Sequence, residues 1–483
     1  MVAKRNALNY EKIVLLALML LPVLTVSLNY DNDFWFLLNH GRYVVENGFP
    51  VIEPFTIHED MQFLVQQWLF DVIVYYLHTA LGKLGILALV YSCSFVFLLL
   101  AYKLCMLMSD GKFVLSTLLS ALSYLVICLW YMVSRPQIIT YILLLFELYT
   151  LESYAKTGRW KRLIVLPLIS MLLINVHCAM WWMAFVFLIP YIIESVLCKK
   201  EPRMLQWCHL CLCAVVMVAA GLINPYGVAS LGYVFTALAD NSLSSSIMEM
   251  CAPDIKSLTG VCFFGLLLFV VVCYIGNRQG KTKLRYILLS LGTTTMALMA
   301  VKSIAYFVIG TIIPLSYYLK NVADKLTFQS SPNRSQTKLA TALLAVIIAI
   351  SGWIIADGYD SAKDYPPAKN ALEYLQKNVE PSKVKLYTGF YDGGYAEYLG
   401  FRTYIDPRAE VFVKANNKTK DVFQEYLSLQ SGELYYREFL DSYAFTHILT
   451  TEDDILGVYL SHDDQYIVYY EDQNSKIFTL RME

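Results

Sequence analysis

Residues 84–102 read LGILALVYSCSFVFLLLAY, and none of them is charged. A hydrocarbon core about 30 Å thick takes roughly 20 apolar residues in a helix, so this stretch predicts a membrane-spanning helix. Of the 483 residues, 57% are hydrophobic and only 16% are charged, whereas soluble domains carry about 25% charged residues. The net charge of -1 argues against a nucleic-acid-binding surface.

The same length criterion predicts about eleven spans in an α-helical polytopic membrane domain at residues 1–357. Their predicted positions are residues 12–30, 84–106, 113–133, 137–155, 162–177, 180–198, 205–223, 258–276, 284–300, 303–319 and 339–356. The first span follows basic residues, as a signal peptide does, but its apolar run is long and its cleavage pattern is poor. We interpret it as an uncleaved span.

Residues 358–483 have the composition of an ordinary soluble domain. A helix is predicted at residues 366–379. Strands are predicted at residues 384–387, 402–405, 447–450, 466–470 and 477–481. Strands that alternate with helices indicate a small C-terminal α/β domain.

The distribution of Lys and Arg predicts the orientation of the chain. The predicted connections on one side carry only a few basic residues, namely Arg42, Arg135, Lys256 and Lys302, with Lys83 at a boundary. The other side carries many more, so we expect a cytoplasmic N-terminus. An odd number of spans then places the C-terminal domain outside the cytoplasm, together with a long first outer loop at residues 31–82. Residues 66–77 of that loop are interpreted as an amphipathic helix at the membrane interface.

The eleven cysteines do not form the pattern of a disulfide framework, because most lie in apolar runs. Cys208, Cys211 and Cys213 are close in sequence, but their apolar surroundings favour packing over a metal site.

Two carboxylates, Asp31 and Asp33, lie at the predicted outer end of the first span. Carboxylates at this spacing can hold a divalent cation or act as a general base. The alternative is a solvated helix end beside an aromatic belt.

Other polar residues are predicted at the same depth, near the outer ends of later spans. They are Arg135, Gln137, Asn175, His177, Asn224, Asp254 and Lys302. Arg135 and Lys302 suit a phosphate group, Arg by paired donation and Lys as a point charge. The alternatives are snorkelling side chains and, at residues 224–227, a simple turn.

In the C-terminal domain, Asp406 and Arg408 follow a predicted strand. Strand ends in such sheets often bind ligands, and the alternative is an internal Asp–Arg bridge. The convergence of acidic, basic and amide groups on one side is typical of a membrane enzyme that acts on a lipid-linked phosphate. The sequence contains no Gly-rich phosphate loop, no His-x-x-x-His zinc helix and no Gly-x-Ser-x-Gly elbow.

In order and spacing, short motifs along nearly the whole chain resemble a family of bacterial membrane proteins related to GT-C-fold glycosyltransferases. The motifs are Asp33-Phe34-Trp35, Gly41-Arg42, Pro54-Phe55-Thr56, Gln67-Trp68-Leu69, Arg135-Pro136-Gln137, Asn175-Val176-His177, Asn224-Pro225-Tyr226-Gly227, Pro253-Asp254, Gly393-Gly394-Tyr395 and Ile405-Asp406-Pro407-Arg408. Two positions depart from the family pattern, which often has His-Glu where this chain has Gln66-Gln67 and a His where it has Phe36.

The resemblance implies transfer of a sugar from a polyprenyl-phosphate carrier to a glycan, lipid or protein acceptor in the cell envelope. Asp33 is then the expected catalytic base, with Asp31 second. The residues expected to bind substrate are Arg42, Gln67, Arg135, Gln137, Asn175, His177, Asn224, Asp254, Lys302, Asp406 and Arg408. No fixed cofactor is implied, and a divalent cation (Mg²⁺ or Mn²⁺) held by Asp31 and Asp33 is left open.

The leading hypothesis is therefore a membrane glycosyltransferase that acts at the outer face. A second hypothesis is a non-enzymatic protein that binds or transports lipid-linked glycans or assists envelope assembly. Charges deep within the spans would favour transport, and the candidates are Glu147, Glu152 and Glu194. A third hypothesis, transfer of a phospho-group, needs a larger cluster of metal ligands than Asp31 and Asp33.

Overall fold

The computed structural model describes residues 11–26, 30, 32–197, 203–237, 243, 247–276, 282–325, 334–359, 366–452 and 454–481. Contacts divide the chain into two compact units, each built from separate stretches of sequence. Unit 1 comprises Met1–Ser27, Leu87–Leu231 and Ser244–Ser361. Unit 2 comprises Leu28–Ile86, Gly232–Leu243 and Ala362–Glu483.

Unit 1 is built from helices in its described part, and each of the eleven predicted span positions holds a helix. The helices are residues 11–18, Leu20–Thr25, Lys83–Met108, Phe113–Tyr131, Gln137–Thr157, Val165–Val176, Met183–Leu197, Arg203–Gly221, Val228–Ala237, Leu258–Gly276, Leu284–Met299, Ile304–Lys325 and Arg334–Tyr359. Lys83–Met108 and Val228–Ala237 each cross a boundary between the units.

Five apolar segments in the described part of the chain are long enough to cross a membrane. They are Lys83–Met108, Gln137–Thr157, Cys178–Leu197, Leu258–Gly276 and Val301–Ala323. Four shorter apolar helices are Trp68–Leu81, Phe113–Cys128, Gln206–Gly221 and Leu284–Met299. The number of eleven spans therefore stays a prediction.

A hydrogen-bonded contact joins neighbouring helices inside unit 1. The fully buried Trp181 donates its indole N–H to Ser170 Oγ at 2.7 Å, and Ser170 donates to the carbonyl of Met217 at 2.7 Å. A Cβ atom at Gly221 would lie 2.6 Å from the Trp181 ring, so only glycine permits this approach. Both polar groups are thereby satisfied in an apolar interior, where an unpaired one is costly.

Two of the three intramembrane glutamates have a partner. Arg285 lies 2.8 Å from Glu152 and 2.5 Å from Glu194, and thereby joins three helices. Glu147 is fully buried, and neither of its carboxyl oxygens has a hydrogen-bond partner in the part of the chain that the structure describes. The pairing assigns Glu152 and Glu194 to helix packing, because a buried charge needs such a partner.

Unit 2 contains a five-stranded sheet in the order β2-β1-β3-β5-β4. The strands are β1 (Lys385–Tyr387), β2 (Arg402–Thr403), β3 (His447–Thr451), β4 (Tyr466–Glu471) and β5 (Ser475–Leu480). β2, β1 and β3 run parallel, while β5 is antiparallel to both β3 and β4. The five predicted strands are present, with ends shifted by up to two residues.

Helices surround this sheet and flank it in sequence. They are Lys369–Asn378, Gly393–Tyr398, Lys414–Asn417, Val422–Gln430, Tyr436–Tyr443 and Ile455–Leu460. The core between helix Lys369–Asn378 and the sheet includes Leu372, Leu375, Leu386 and Leu449, all fully buried. Periodic apolar residues at positions 371, 372 and 375 put one face of that helix on the sheet.

The first outer loop belongs to unit 2, whereas the predicted domain boundary at residue 357 grouped it with the membrane helices. Backbone pairing explains this difference. Thr56 forms a parallel bridge with Thr403, and the Ile57 N–H donates to the Thr403 carbonyl at 2.9 Å. The loop thus extends the sheet beyond β2, and it contributes two helices of its own, Phe34–Asn47 and Trp68–Leu81.

The predicted amphipathic helix at residues 66–77 is found at Trp68–Leu81. It buries Phe70 and Val74 within unit 2 and exposes Tyr76 and Leu81. An exposed apolar face on such a helix is typical of a segment that lies in a membrane interface.

Candidate functional site

Asp33, the expected base, is the N-cap residue of helix Phe34–Asn47 and is half-buried. Its side chain does not cap this helix, since no capping hydrogen bond is formed. The Asp33 carbonyl accepts the N–H of Leu37 at 3.3 Å, so the helical hydrogen bonding begins at this residue. Asp31 lies outside the described residues.

Aromatic side chains follow Asp33 on the same helix and contact the C-terminal part of unit 2. The Trp35 ring lies 4.6 Å from Tyr395 and 4.9 Å from Tyr398 between centroids. Arg42 stacks on Tyr398 at 5.7 Å and donates to Asn39 Oδ1 at 3.0 Å. Arg42 is therefore held in place by the Tyr398 ring and by the amide of Asn39, which lies one turn earlier on the same helix.

A buried cluster of ionisable residues joins the loop at residues 31–82 to the segment that follows β2. Its centre is Arg408, whose side chain is 2% exposed. Nε of Arg408 donates to Asp406 Oδ1 at 2.8 Å, and Nη2 donates to Asp406 Oδ2. Nη2 also donates to Glu53 Oε1 at 2.9 Å. Asp406 and Arg408 thus form an internal bridge, and neither side chain is open to solvent in this structure.

Glu53 completes this contact from the loop side. Its second oxygen, Oε2, accepts the N–H groups of Phe55 at 3.0 Å and Thr56 at 2.8 Å, together with the Thr56 hydroxyl at 2.8 Å. These bonds order the loop beside β2, because a carboxylate with several donors is well satisfied when buried. Loop folding and Arg408 binding therefore depend on the same carboxyl group.

His40 continues the cluster toward the second loop helix. Nη1 of Arg408 lies 3.0 Å from His40 Nε2, and His40 Nδ1 lies 3.2 Å from Asp71 Oδ2. Burial, together with the Arg408 charge, holds the pKa of His40 well below its usual value. Burial raises the pKa of Asp71 well above its usual value, partly opposed by Arg408. Burial therefore favours the neutral form of both residues.

Glu397 is the fourth carboxyl of the cluster. It accepts the Thr403 hydroxyl at 2.8 Å and lies 3.7 Å from Arg408 Nη2. Burial raises its pKa well above the usual value, and the nearby Asp406 adds to that effect. One permanent cation is thus surrounded by more carboxyls than it can neutralise, which favours the protonated form of Glu397.

Gln67 is buried at the start of helix Trp68–Leu81. The preceding Gln66 donates to Glu410 Oε1 at 3.0 Å, and the hydroxyl of Tyr233 donates to the same oxygen at 3.5 Å. The Gln66-Gln67 pair, which departs from the family pattern, therefore contributes one more contact between the loop and the C-terminal part of unit 2.

In unit 1, hydrogen bonds bring several connections between helices together. Arg135 pairs with Glu249 at 3.1 Å, with side-chain exposures of 18% and 49%. The Tyr131 hydroxyl donates to the Val301 carbonyl at 2.5 Å, and the Val301 N–H donates to the Cys251 carbonyl at 2.9 Å. These bonds place the connections that carry Arg135, Glu249 and Lys302 side by side.

His177 follows helix Val165–Val176 and is buried. Its Nδ1 lies 2.9 Å from the Thr140 hydroxyl, and the charge of Lys302 acts on the ring. His177 therefore belongs to the same region of unit 1 as Arg135 and Lys302.

Asn175 and Asn224 hold backbone groups. Asn175 donates to the carbonyls of Met171 at 2.7 Å and Ile223 at 2.8 Å. Asn224 donates to the carbonyls of Gly221 and Gly227 and accepts the Tyr226 N–H at 2.9 Å. Asn224 thus forms the turn that was the alternative interpretation of residues 224–227.

Two further expected residues have different surroundings. Asp254 is exposed and accepts the Lys256 N–H at 2.9 Å. Gln137 is the first residue of helix Gln137–Thr157, and its Oε1 is buried without a hydrogen-bond partner in the described part of the chain.

Metal ligation has limited support within the described ranges. No group of three or more His, Cys, Asp or Glu side chains there has the arrangement of a metal site. Of the two carboxylates expected to bind a cation, only Asp33 is described.

Sequence reasoning missed the partners of several residues that it named. Glu249, the partner of Arg135, lies four residues before the Pro253-Asp254 motif but belongs to no motif itself. Glu53, His40, Asp71 and Glu397 were not candidates either, although Glu53 immediately precedes the Pro54-Phe55-Thr56 motif. A polar residue inside the apolar run at residues 68–77 was the one available signal for Asp71.

No family model matches the chain, and no curated protein matches its sequence. Solved structures share its fold at low sequence identity. The oligosaccharyltransferase of Archaeoglobus fulgidus, in the apo form, aligns with a TM-score of 0.63 and 12% identity, over 92% of this chain and 69% of that chain. ArnT from Cupriavidus metallidurans, in the apo state, aligns with a TM-score of 0.59 and 9% identity, over 99% and 98% of the two chains.

The structure of the same ArnT bound to undecaprenyl phosphate aligns with a TM-score of 0.55 and 9% identity, over 98% and 97% of the two chains. The protein is therefore a membrane protein with the GT-C fold, as the sequence motifs predicted. At these identities the likeness establishes the fold alone.

Proposed function

We propose that this protein is a membrane glycosyltransferase that transfers a sugar from a polyprenyl-phosphate carrier to a glycan, lipid or protein acceptor of the cell envelope. The fold supports this class, since similar structures include an oligosaccharyltransferase and an ArnT bound to undecaprenyl phosphate. Its N-terminus is proposed to be cytoplasmic and unit 2 extracytoplasmic, as the distribution of basic residues predicts.

The observation that carries the proposal is the grouping of Arg135, His177 and Lys302 in unit 1. The Tyr131–Val301 and Val301–Cys251 hydrogen bonds bring together the connections that carry Arg135 and Lys302. The buried His177 ring lies 2.9 Å from the Thr140 hydroxyl and feels the charge of Lys302. Cations in such a group suit a phosphate with delocalised negative charge. We assign the donor phosphate to Arg135 and Lys302.

The Glu249 carboxylate is proposed to occupy the phosphate-binding position on Arg135 when no donor is bound. The Arg135–Glu249 pair is half-exposed on the carboxylate side. Exposed ion pairs contribute little to stability, so a phosphate carrying more charge can displace the carboxylate. The pair then preserves the position of Arg135 when no donor is bound.

Asp33 is proposed to act as the general base on the acceptor. Its carboxylate takes the proton of the acceptor hydroxyl as the acceptor oxygen attacks the anomeric carbon. The bond between that carbon and the phosphate oxygen breaks, and polyprenyl phosphate leaves with the electron pair. Cations at the phosphate stabilise the charge that develops there. Attack from the opposite face inverts the configuration.

The remaining expected residues receive different roles. Arg42, Gln67, Gln137 and Asp254 stay proposed substrate contacts. Asn175 and Asn224 are assigned to backbone turns, and Asp406 and Arg408 to the buried cluster of unit 2. A divalent cation, Mg²⁺ or Mn²⁺, enters the proposal only through Asp33 with Asp31.

The experiment uses the purified full-length chain in proteoliposomes with a set of undecaprenyl-phosphate-linked sugars. We expect release of undecaprenyl phosphate and its loss in Arg135→Gln and Lys302→Gln, with Lys256→Gln as the matched outer-loop control. Release that is equal in all three variants would contradict the assignment of the donor phosphate. Binding of the lipid without release from any donor would favour the non-enzymatic hypothesis.

A further inference from the structure

The helix that begins at Asp33 is fixed by hydrogen bonds of His40, two turns after Asp33. His40 lies seven positions after Asp33, and two helical turns take about 7.2 residues, so the two positions share a face. The rotation and height of helix Phe34–Asn47 therefore set the direction of Asp33. His40 is too far along the helix, at about 10 Å of rise, to touch the same acceptor hydroxyl.

Hydrogen bonds fix the ring of His40 in two directions. An Arg guanidinium only donates, so His40 Nε2 accepts the 3.0 Å bond from Arg408 Nη1. The proton of the neutral ring then lies on Nδ1, which donates to Asp71 Oδ2 at 3.2 Å. One bond ties the helix to the end of β2 and the other ties it to helix Trp68–Leu81.

Packing around the ring excludes other orientations. The His40 ring lies 5.6 Å from Phe55 and 5.4 Å from Phe63, and the Arg408 guanidinium lies 5.4 Å and 5.3 Å from the same two rings. A Cβ atom at Gly41 would lie 2.1 Å from the Asp71 carbonyl oxygen, so the two loop helices are in backbone contact at this point.

Arg408, which donates to His40, is itself held in place by buried carboxylates. Arg408 is bound by Asp406 and Glu53, both almost fully buried. His40 therefore links Asp33's helix to an ion pair that cannot move without exposing buried charges, which is costly.

We infer that His40, oriented between Arg408 and Asp71, is a positioning residue for Asp33. This inference rests on the proposed function. It assigns to the loop–sheet junction of unit 2 a role in the transfer step beyond stability, because general-base catalysis needs the carboxylate within hydrogen-bond reach of the hydroxyl.

The test compares His40→Leu with His58→Leu in the full-length protein. His58 is a matched control, since it is partly buried and bonds the loop to the C-terminal part of unit 2, through Nε2 and the Tyr404 carbonyl at 2.8 Å, but lies outside the helix of Asp33. We expect His40→Leu to lower kcat about tenfold or more while the donor KM stays near that of wild type, because misplacement affects the transition state. His58→Leu should keep a near-wild-type kcat.

Two further variants separate positioning from folding. His40→Gln can accept from Arg408 and donate to Asp71, so it should restore most of kcat. Asp71→Val removes the His40–Asp71 bond but leaves the bond from Arg408 to His40, so its kcat should lie between those of wild type and His40→Leu. This variant replaces His40→Leu in the comparison if His40→Leu does not fold. Hydrogen–deuterium exchange should rise in residues 34–47 and not in β3 or β5 for the variants with lowered kcat.

Equal kcat values for His40→Leu and His58→Leu would overturn the inference, as would a uniform rise in exchange across unit 2. A wild-type protein without transfer activity, or a fully active Asp33→Asn, would instead overturn the proposed function. The two failures are therefore distinguishable.

Discussion

Arg408 donates a hydrogen bond to His40 over 3.0 Å, although 368 positions separate them in sequence. This bond makes the first outer loop and the C-terminal sheet parts of one folded unit. The same arginine pairs with Glu53 of the loop and with Asp406, so the position of the loop depends on a single buried side chain.

Replacing Arg408 is expected to destabilise unit 2 strongly. Arg408→Met leaves buried carboxyls without their cation, and breaking such a pair costs about 3–5 kcal/mol. Thermal unfolding of the detergent-solubilised protein measures the loss. Arg437→Met removes an exposed partner of Asp463 and should lower the unfolding temperature far less. Similar losses in both variants would contradict a central role for Arg408.

The Gly41 contact predicts a steric effect. Gly41→Ala places a methyl group against the Asp71 backbone and should separate the two loop helices, which lowers the unfolding temperature and raises exchange in residues 34–47. Gly232→Ala is the control, since a Cβ atom there meets nothing within 4 Å and alanine favours a helix. A stable Gly41→Ala would show that the helices can move apart without cost.

A buried aspartate predicts the pH dependence of stability. Burial raises the pKa of Asp392 to about 7 from its usual 3.8, although its Oδ1 accepts the Ala368 N–H at 2.9 Å. The folded state therefore holds a proton that the unfolded state has lost, so stability is full below about pH 4 and falls as the pH rises toward 7. Asp392→Asn keeps an oxygen that can accept the Ala368 N–H, and its amide does not titrate.

The measurement is the unfolding temperature of wild type and Asp392→Asn between pH 4 and pH 8. The difference between the two proteins should grow in favour of Asp392→Asn as the pH rises through this range. A constant difference would show that burial does not raise the pKa of Asp392 above its usual value.

The Arg135–Glu249 pair predicts a gain of donor affinity. Glu249→Gln removes the competing carboxylate, so undecaprenyl phosphate should bind a few-fold more tightly, within the modest range of an exposed ion pair. Asp110→Asn disrupts comparable exposed pairs with Lys156 and Lys320 at the predicted cytoplasmic side and should leave the affinity unchanged. Weaker binding by Glu249→Gln would assign Glu249 to the donor site itself.

Local sequence predicts most of the helices and strands because their causes are local. The apolar run at residues 84–102 and the strand at residues 447–450 are both formed from neighbouring residues in the expected pattern. The grouping of residues 31–82 with the C-terminal sheet could not be predicted in this way. It depends on contacts such as Thr56 with Thr403, which no periodicity encodes.

The candidate site shows the same limit. Arg135 was named from its motif, but its partner Glu249 lies 114 positions away and outside any motif. Asp406 and Arg408 were named as ligands or as an internal bridge, and only their burial against Glu53 and His40 distinguishes the two. The chemical type of a charged residue can be seen in the sequence, whereas its exposure depends on how distant segments pack around it.

The catalytic role of Asp33 is tested by the transfer rate of Asp33→Asn beside that of Asp60→Asn, in proteoliposomes with a lipid-linked sugar that wild type uses. Asp60 lies in the same loop and is exposed, so its replacement controls for the loss of one loop carboxylate. We predict that Asp33→Asn lowers kcat by about 10²–10⁴-fold, the usual contribution of a general base, while Asp60→Asn matches wild type. Equal rates for the two variants would contradict a catalytic role for Asp33.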